Sequence, residues 1–514
     1  MGGQPVAPID TPPVDFLALG PVIALAGAGA LIVLLRSFVR RSPHVYPASM
    51  FLAISGVVAA GLMLARQWDL VRSDGPTTTI AGMVRVDGFG VFLGAVITAA
   101  AFLTLLLSSA YTERERLEGP EYLALVLLSA SGMVAMTTAN DLVAVFVALE
   151  VLSIPLYVLA AFDRRRLASQ EAGIKYFVLG AFSSAVFLYG IALVYGATGT
   201  TSLPGIAEFL AGNTVLDEGV LLAGLALLLV GLGFKVAAVP FHMWIPDVYQ
   251  GAPSPVTAFM SSATKVAGFA ALVRTFEVAF PTFRDDWRPA VGALAVLTLV
   301  VGGVAAVVQD DVKRMLAYSS IAHAGYILVG FAAASVGDSE AAARGLESVL
   351  FYLLVYAFMT IGAFAVVMVI GLARDDARHP LSDYRGLATK RPLLAGMLTF
   401  FLLAQAGVPL TGGFVAKLEV FAAAAEAREY WLALVGVLTA VVTAFFYLRV
   451  VVVMFTGEGV TADDGDEDGA EDGAARRWPV EPATGVVLVT CAAVTLLAGV
   501  FPGGFIDFAR DAVL

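Results

Sequence analysis

The sequence predicts an all-α integral membrane protein with about 14 transmembrane helices, and three observations support this fold class. Hydrophobic residues make up 59% of the 514 residues and charged residues only 14%, whereas about 25% of residues are charged in soluble domains. The apolar residues fall in repeated blocks of about 20, the helix length that crosses a hydrocarbon core of about 30 Å. The basic residues are distributed unequally over the loops between these blocks, as expected of a multi-pass protein.

The apolar blocks must form helices, because an open sheet edge would leave backbone groups unsatisfied in lipid. No basic residue precedes the first block, so we expect it to remain as a helix and not to be cleaved as a signal peptide. The glycine-containing segment 27–30 lies inside this block and follows no strand, so it is not a dinucleotide fingerprint. The 14 predicted spans are 16–35, 46–65, 88–110, 122–139, 142–162, 175–196, 219–240, 255–279, 289–308, 315–334, 347–372, 393–425, 430–455 and 483–501.

Loop charges predict the orientation. Of the 31 lysines and arginines, 19 lie in loops that follow odd-numbered spans and eight lie in loops on the other side. The positive-inside rule therefore predicts that the odd loops are cytoplasmic and that both termini face outward. Much of the net charge of -11 comes from the acidic loop 463–472, so it implies no basic partner and no nucleic acid. This loop imitates the start of a calcium loop but has Ala475 where a bidentate glutamate belongs, so we interpret it as a solvated loop.

Four cations remain, and they fall inside spans: Lys235, Lys265, Lys417 and Arg274. The chain has only six lysines, so half of its lysines lie where a charge is most costly. A lysine can lose its proton when it is desolvated, whereas an arginine effectively cannot. The placement of half of the lysines, but only one arginine, inside spans therefore favours groups that exchange protons.

Two further titratable residues lie well inside spans, namely Glu150 in the fifth and His323 in the tenth. Single groups of this kind can be structural, because a lysine can snorkel to the interface and a glutamate can pair two helices. Each charged group adds an insertion cost of about 2.5–3.5 kcal/mol, so five of them on five spans indicate a proton relay more than packing. His242 ends the seventh span and fits equally a relay step or an interfacial residue.

Helix-breaking residues accompany two of the lysines. Pro240 follows Lys235, and Pro409 with Gly412–Gly413 precedes Lys417, which predicts broken helices 7 and 12. These lysines are five spans apart, and a tandem unit with an odd number of spans must be inverted in the membrane. We therefore expect two inverted five-helix repeats, helices 4–8 and 9–13. The predicted domains are 1–120, 121–285 (first repeat), 286–457 (second repeat) and 458–514 (acidic loop and helix 14).

Redox cofactors are not expected in this chain. Cys491 is the only cysteine, and it lies in an apolar block, whereas an iron–sulfur cluster needs several thiolates. The four histidines are too scattered for a haem or zinc site. Any electron transfer would therefore take place in other proteins.

Four motifs resemble the N subunit of respiratory complex I, the proton-translocating NADH:quinone oxidoreductase. They are LEVLSIPLY (149–157), GFKVAAVPFHMWIPDVYQGAPSPVTAFM (233–260), QDDVKRMLAYSSIAHAGY (309–326) and AGVPLTGGFVAK (406–417). The resemblance covers nearly the whole chain in order. It implies 14 helices, two inverted five-helix repeats and a proton path near mid-membrane through Glu150, Lys235, Lys265 and Lys417.

The sister L and M subunits and the multisubunit sodium/proton antiporters share this fold but differ in these motifs. They typically have PDAHxEAP where this chain has PDVYQGAP (246–253), and tryptophan where this chain has Leu149. The M subunit tends to carry glutamate at the position of Lys417. An antiporter subunit is the first alternative, and an assembly scaffold with structural charges is the second.

The resemblance implies a non-redox subunit that couples electron transfer elsewhere to proton movement. NADH, FMN, iron–sulfur clusters and quinone would belong to partner subunits of the membrane complex. Usage rich in alanine, valine and arginine with scarce lysine indicates a high-GC bacterium, so we expect the bacterial plasma membrane.

Overall fold

The computed structural model describes residues 12–39, 44–117, 119–336, 340–371, 379–456 and 480–514. Within these ranges, 13 helices are long and apolar enough to cross a membrane. The remaining predicted span, 393–425, is present as two helices in series, Pro392–Ala406 and Gly412–Glu426. The fold class is therefore confirmed, and the chain is a multi-pass membrane protein.

The first half of the chain contains eleven α-helices and one small hairpin. The hairpin pairs β1 (Thr77–Thr79) with β2 (Val84–Val86) in antiparallel register, Thr77 opposite Val86. The helices are α1 (Gly20–Phe38), α2 (Val45–Asp74), α3 (Gly88–Arg114), α4 (Pro120–Thr138), α5 (Leu142–Ala160), α6 (Leu167–Thr198), α7 (Leu203–Gly212), α8 (Glu218–Val236), α9 (Ile245–Gly251), α10 (Ser254–Phe259) and α11 (Lys265–Ala279).

The second half contains nine more α-helices and two short 3-10 turns, Pro281–Phe283 and Leu381–Tyr384. The helices are α12 (Arg284–Val307), α13 (Val312–Ala334), α14 (Glu340–Gly371), α15 (Leu387–Lys390), α16 (Pro392–Ala406), α17 (Gly412–Glu426), α18 (Tyr430–Phe455), α19 (Pro482–Val500) and α20 (Gly503–Arg510).

Both predicted helix breaks are present. The seventh span stops at the end of α8, where Ala237 adopts a left-handed conformation, and resumes as the short α9. In the twelfth span, Gly407 has φ +93° and the chain resumes helical geometry at Gly412. Two partners satisfy the interrupted backbone at the first break: Ala238 N donates to Gly233 O, and Val239 N donates to the Thr298 hydroxyl of α12 at 2.9 Å. This last bond joins the two halves of the chain.

Close backbone contacts at glycines hold neighbouring helices together, as is common between membrane helices. A Cβ at Gly302 of α12 would lie 2.6 Å from the backbone nitrogen of Ala322 in α13. A Cβ at Gly132 of α4 would overlap the backbone of Leu152 in α5. A side chain at either glycine would therefore force two spans apart.

The predicted repeat symmetry and domain limits remain predictions. The limit at 285/286 falls within the first turn of α12, at the junction with α11. The acidic loop 463–472 and its calcium-loop imitation lie outside the described residues.

Candidate functional site

Four of the predicted site residues are buried in the bundle. The exposed fractions of Lys235, Lys265, His323 and Lys417 are between 2% and 5%, so none of them snorkels to the surface. Glu150 and His242 are half-buried. The four buried groups must find polar partners inside the protein, because a buried group without a hydrogen bond is costly.

Lys235, in the last turn of α8, is held by a hydroxyl group. Its Nζ donates to Ser153 Oγ of α5 at 2.6 Å, and Ser153 in turn donates to Leu149 O. The rings of Tyr157 and Tyr176 lie 5.8 Å and 5.5 Å from the same ammonium, within the range of cation–π attraction. Lys235 therefore lies among aromatic rings, and the hydroxyl of Ser153 accepts its hydrogen bond.

Glu150 lies on the same face of α5 as Ser153 and Tyr157, because residues three and seven positions apart share a helix face. Its charge acts on Lys235, but among the described residues it does not approach Lys235 Nζ within the 4.0 Å of an ion pair. Its Oε1 is buried and has no hydrogen-bond partner in the described part of the chain. We therefore describe Glu150, Ser153 and Lys235 as the first cluster, in which Ser153 accepts from Lys235 and shares a helix face with Glu150.

Lys265 begins a second group of polar side chains. The five-residue π-helix Met260–Thr264 precedes it, and such bulges recur at functional positions in helices. Its Nζ donates to Ser320 O and, at 2.7 Å, to Ser320 Oγ. Tyr356 OH donates to the same Ser320 hydroxyl at 2.9 Å. Lys265 is thus joined to α13 and α14 through one serine.

His323, one turn after Ser320 on α13, contacts two tyrosines. Its Nδ1 lies 2.7 Å from Tyr352 OH of α14, and its Nε2 lies 3.1 Å from Tyr447 OH of α18. Tyr447 OH also donates to Gln405 Oε1 at 3.3 Å. A neutral imidazole has one donor and one acceptor nitrogen, and Tyr447 has a single hydroxyl proton, which is directed to Gln405. With that bond in place, His323 Nε2 donates to Tyr447 and Nδ1 accepts from Tyr352 OH.

Lys417 lies beside the break in the twelfth span. Its Nζ donates to Ala406 O, the last carbonyl of α16, at 2.9 Å, and it lies 4.8 Å from the ring centre of Tyr326. The carbonyl end of a helix carries partial negative charge and attracts a cation. Gln405 precedes Ala406, so the tyrosine contacts of His323 reach the break that holds Lys417. We name Lys265, Ser320, His323, Gln405 and Lys417, with Tyr352, Tyr356 and Tyr447, the second cluster.

Among the described residues, no side-chain hydrogen bond joins the two clusters. The helices α8 and α11, which carry Lys235 and Lys265, are nevertheless in contact, since a Cβ at Gly268 of α11 would lie 3.4 Å from Lys235 Cβ. His242 lies in the turn between α8 and α9, and its Nδ1 is buried without a partner in the described part of the chain. This observation does not separate the two roles considered for His242.

Sequence reasoning placed Lys313 in an odd loop and did not predict its burial. Lys313 lies in α13, is 3% exposed and donates to Ala252 O at 2.7 Å. It lines a small polar pocket on the odd-loop side with Asp163, Arg166 and His379. Burial raises the pKa of Asp163, but hydrogen bonding and charge from Arg165 outweigh this and hold its pKa below the ordinary value. The only sequence signal for the burial of Lys313 was its position at the start of an apolar block.

Arg274 has a structural partner that the sequence did not reveal. Its guanidinium forms two hydrogen bonds of 2.8 Å and 2.7 Å with the carboxylate of Asp87, and a third of 2.9 Å with Thr137 O. Asp87 also caps α3 by accepting from Gly90 N. The ion pair therefore joins α11, α3 and α4, away from both clusters.

The described residues contain no group of three or more histidine, cysteine or acidic side chains that could hold a metal ion. Lysine, imidazole, phenol and hydroxyl groups in hydrogen-bonding distance can instead pass protons between them. The fold and this set of groups define a multi-pass membrane protein with buried titratable side chains.

Comparison with known proteins places the chain in a family. Residues 139–443 match the family described as NADH:quinone oxidoreductase/Mrp antiporter, TM. The chain is 42% identical over 494 residues to NADH-quinone oxidoreductase subunit N of Trichlorobacter lovleyi, covering 96% of each protein. The chain therefore belongs to the family of N subunits of NADH-quinone oxidoreductase.

Solved structures agree with this assignment. A chain of respiratory complex I from Thermus thermophilus with bound aureothin is 34% identical, with a TM-score of 0.75 over 95% of this chain and 99% of that chain. A chain of the Mrp complex from a Dietzia species has a TM-score of 0.80 over 97% and 96% of the two chains. At 24% identity, this second likeness shows a common fold only.

Proposed function

We propose that this chain is a membrane-arm subunit of a proton-pumping NADH:quinone oxidoreductase and moves protons through its two clusters. NADH, FMN, iron–sulfur clusters and quinone would be bound by partner subunits in the bacterial plasma membrane. The observation that carries the proposal is the second cluster, in which two lysines and a histidine are buried together. Lys265 donates to the Ser320 hydroxyl, His323 contacts the Tyr352 hydroxyl, and Lys417 donates to the carbonyl of Ala406.

The chemistry of the second cluster suits proton transfer. Positive charges on neighbouring buried groups repel one another strongly where water is excluded, and Lys265, His323 and Lys417 all lie in this cluster. A proton that leaves one of these groups therefore makes protonation of another more favourable. The hydroxyls of Ser320, Tyr352 and Tyr447 can each accept one proton while giving up their own, which needs no ionised intermediate on the tyrosine.

The first cluster would regulate the second. Ser153 holds the Lys235 ammonium, and Glu150 lies on the same helix face with a buried, unbonded oxygen. If the Glu150 carboxylate approaches Lys235, it attracts the Lys235 ammonium group and keeps it protonated. If Glu150 withdraws, Lys235 can pass a proton toward Lys265. Like charges interact strongly where water is excluded, so a small displacement has a large electrostatic effect.

The inverted repeats belong to the same proposal. Each predicted repeat supplies one broken helix and one lysine beside the break, namely Lys235 with α8 and α9, and Lys417 with α16 and α17. Breaks of this kind expose carbonyl groups and helix ends to a polar path.

An antiporter subunit remains the alternative function, because the matched family description includes Mrp antiporters. The 42% identity to an N subunit, against 24% to the Mrp chain, supports the respiratory assignment. Neighbouring genes for flavin and iron–sulfur subunits would favour the respiratory enzyme, and neighbours for antiporter subunits alone would favour the alternative.

The proposal is tested by Lys235→Arg in the assembled complex, reconstituted in vesicles, with proton uptake and NADH oxidation measured together. Arginine keeps the charge but does not release its proton, so transfer through this chain should slow by roughly 100-fold, the lower limit for loss of a proton-transfer group. Lys175→Arg is the control, because Lys175 is 39% exposed and paired with Glu171 and Asp247. Full pumping by an assembled Lys235→Arg complex would contradict the relay.

A further inference from the structure

A stripe of polar side chains runs along α14. Ser348, Tyr352, Tyr356 and Thr360 recur every four residues, so they share one face of the helix. All four are at least 96% buried. At about 1.5 Å per residue, the stripe extends over roughly 18 Å, more than half of a hydrocarbon core. The stripe therefore places four buried hydroxyl groups along one line of the helix.

The middle of this stripe is part of the second cluster. Tyr356 OH donates to Ser320 Oγ, which also binds Lys265, and Tyr352 OH lies 2.7 Å from His323 Nδ1. From Tyr352, the stripe continues toward the first residue of α14 and reaches Ser348. Ser348 packs against α13, since a Cβ at Gly330 would lie 2.9 Å from Ser348 Oγ. The stripe therefore leads away from His323 toward the even-loop side.

At that side the stripe ends next to an acid. Glu347, the neighbour of Ser348, is 9% exposed, and its two carboxylate oxygens accept from Arg510 of α20 at 3.1 Å and 3.3 Å. Glu347 lines an open basin of about 940 Å³. The other charged residues around this basin are Glu340, Arg344, Glu419, Glu426 and Arg510.

We propose that Tyr352, Ser348 and Glu347 form a branch through which His323 exchanges protons with the even-loop side, with Glu347 as the last carrier. This inference rests on the proposed function, because it needs His323 to carry a proton. A protonated His323 gives its Nδ1 proton to Tyr352 OH, and the phenol gives its own proton onward. Tyr352 and Ser348 are one helical turn apart, so a bridging water can carry this proton to Ser348 Oγ. The Ser348 hydroxyl, which donates to Gly345 O, accepts that proton and passes its own through a second water to Glu347. The carboxylate of Glu347 receives one proton and releases it to the basin, and His323 is left neutral.

A simpler interpretation is that Glu347 only stabilises the packing of α20 against α14 through its ion pair with Arg510. The two readings differ in what Glu347→Gln should do. A glutamine oxygen can still accept hydrogen bonds from Arg510, so this packing is largely kept, whereas a glutamine cannot carry a proton. Tyr352→Phe removes a single oxygen atom and keeps the ring that packs against Tyr326, so assembly should be preserved.

The experiment measures protons moved per NADH oxidised in vesicles containing the whole complex with Tyr352→Phe, Glu347→Gln or Glu347→Asp. We expect the first two to slow transfer through this chain by roughly 100-fold, and Glu347→Asp to recover most of it because a carboxylate is restored. Two control variants make the same chemical changes at residues outside the branch. Glu426→Gln alters another acid of the basin, paired with Arg344, and Tyr122→Phe alters a buried phenol bonded to Ser108.

Each outcome decides between the readings. Pumping at control rates by Tyr352→Phe and Glu347→Gln, with Lys235→Arg impaired, would overturn the branch and leave the relay intact. Pumping at control rates by Lys235→Arg as well would overturn the proposed function itself. If Glu347→Gln fails to assemble, Tyr352→Phe alone decides, and full pumping by that variant rejects the branch.

Discussion

At the scale of single residues, uncharged hydroxyl groups hold the buried charges of both clusters. Lys235 binds Ser153, Lys265 binds Ser320, and His323 contacts two tyrosines. A neutral partner satisfies an ammonium group without fixing its charge, so the proton can leave at a smaller electrostatic cost than it would from a buried ion pair. Arg274 is the contrasting case, because its guanidinium group forms an ion pair with the carboxylate of Asp87.

We expect Asp87→Asn to lower the free energy of unfolding of the purified protein in detergent by about 3–5 kcal/mol, because the change leaves Arg274 buried without its counter-charge. Thermal unfolding at neutral pH would measure this. Asp217→Asn is the control: Asp217 caps the exposed start of α8, and asparagine caps a helix about as well as aspartate. Equal losses of stability in the two variants would show that the loss comes from the change at the helix cap and not from the broken ion pair.

The same pair has a predictable pH dependence. Burial raises the pKa of Asp87, but the charge and hydrogen bonds of Arg274 outweigh this and hold the pKa below its ordinary value. The stabilisation is therefore complete above the unfolded-state pKa of about 3.9 and is lost as the pH falls through the lower folded-state pKa. The difference in stability between the natural protein and Asp87→Asn should be constant from pH 7 to about pH 5 and should shrink in stronger acid.

At the scale of helices, the break between α16 and α17 depends on close packing of the two half-helices. A Cβ at Gly413 would overlap Ala404 O, so no other residue fits there without a shift. Lys417 lies one turn further along α17 and bonds to Ala406 O of α16. The position of the lysine is therefore set by the contact at the glycine.

We expect Gly413→Ala to reduce stability by about 1–3 kcal/mol, the usual cost of overpacking, and to impair pumping by moving Lys417 away from the carbonyl. Gly396→Ala on α16 is the control, because its Cβ would meet nothing within 4 Å. Both variants would be compared in thermal unfolding and in vesicle pumping. A neutral Gly413→Ala would mean that α17 can shift without consequence for the lysine.

The spans were predicted well from the sequence, because a helix that crosses the bilayer must be apolar over the length that contacts lipid. Helix ends were less accurate: α6 begins at Leu167, eight residues before the predicted start, since a helix continues beyond the bilayer where apolar composition stops. The partners Ser153, Tyr352 and Tyr447 were not predicted, because hydroxyl residues are common in spans and only packing shows which ones meet a charge. The short helices α7 and α20 were also missed, being too short to cross a membrane.

At the scale of the whole molecule, an even number of spans places both termini on one side, and the charge asymmetry predicts that this side is the outer one. A reporter that is active only in the periplasm should therefore work when fused after Leu514, and one active only in the cytoplasm should be silent. A fusion after Lys390, between the eleventh and twelfth spans, should give the opposite result. Cytoplasmic activity at Leu514 would contradict the assignment of the odd loops.

The docking of α20 has a consequence for the order in which the molecule can be completed during synthesis. Phe508 packs between Trp68 of α2 and Phe92 of α3, at ring distances of 4.6 Å and 4.8 Å. These partners are separated by more than 400 residues of chain, so this contact forms after every described span has been made. A nascent chain stopped before Gly503 would possess all of its spans and still present an uncovered aromatic face on α2 and α3. The docking of α20 therefore distinguishes a chain that contains this helix from one that lacks it.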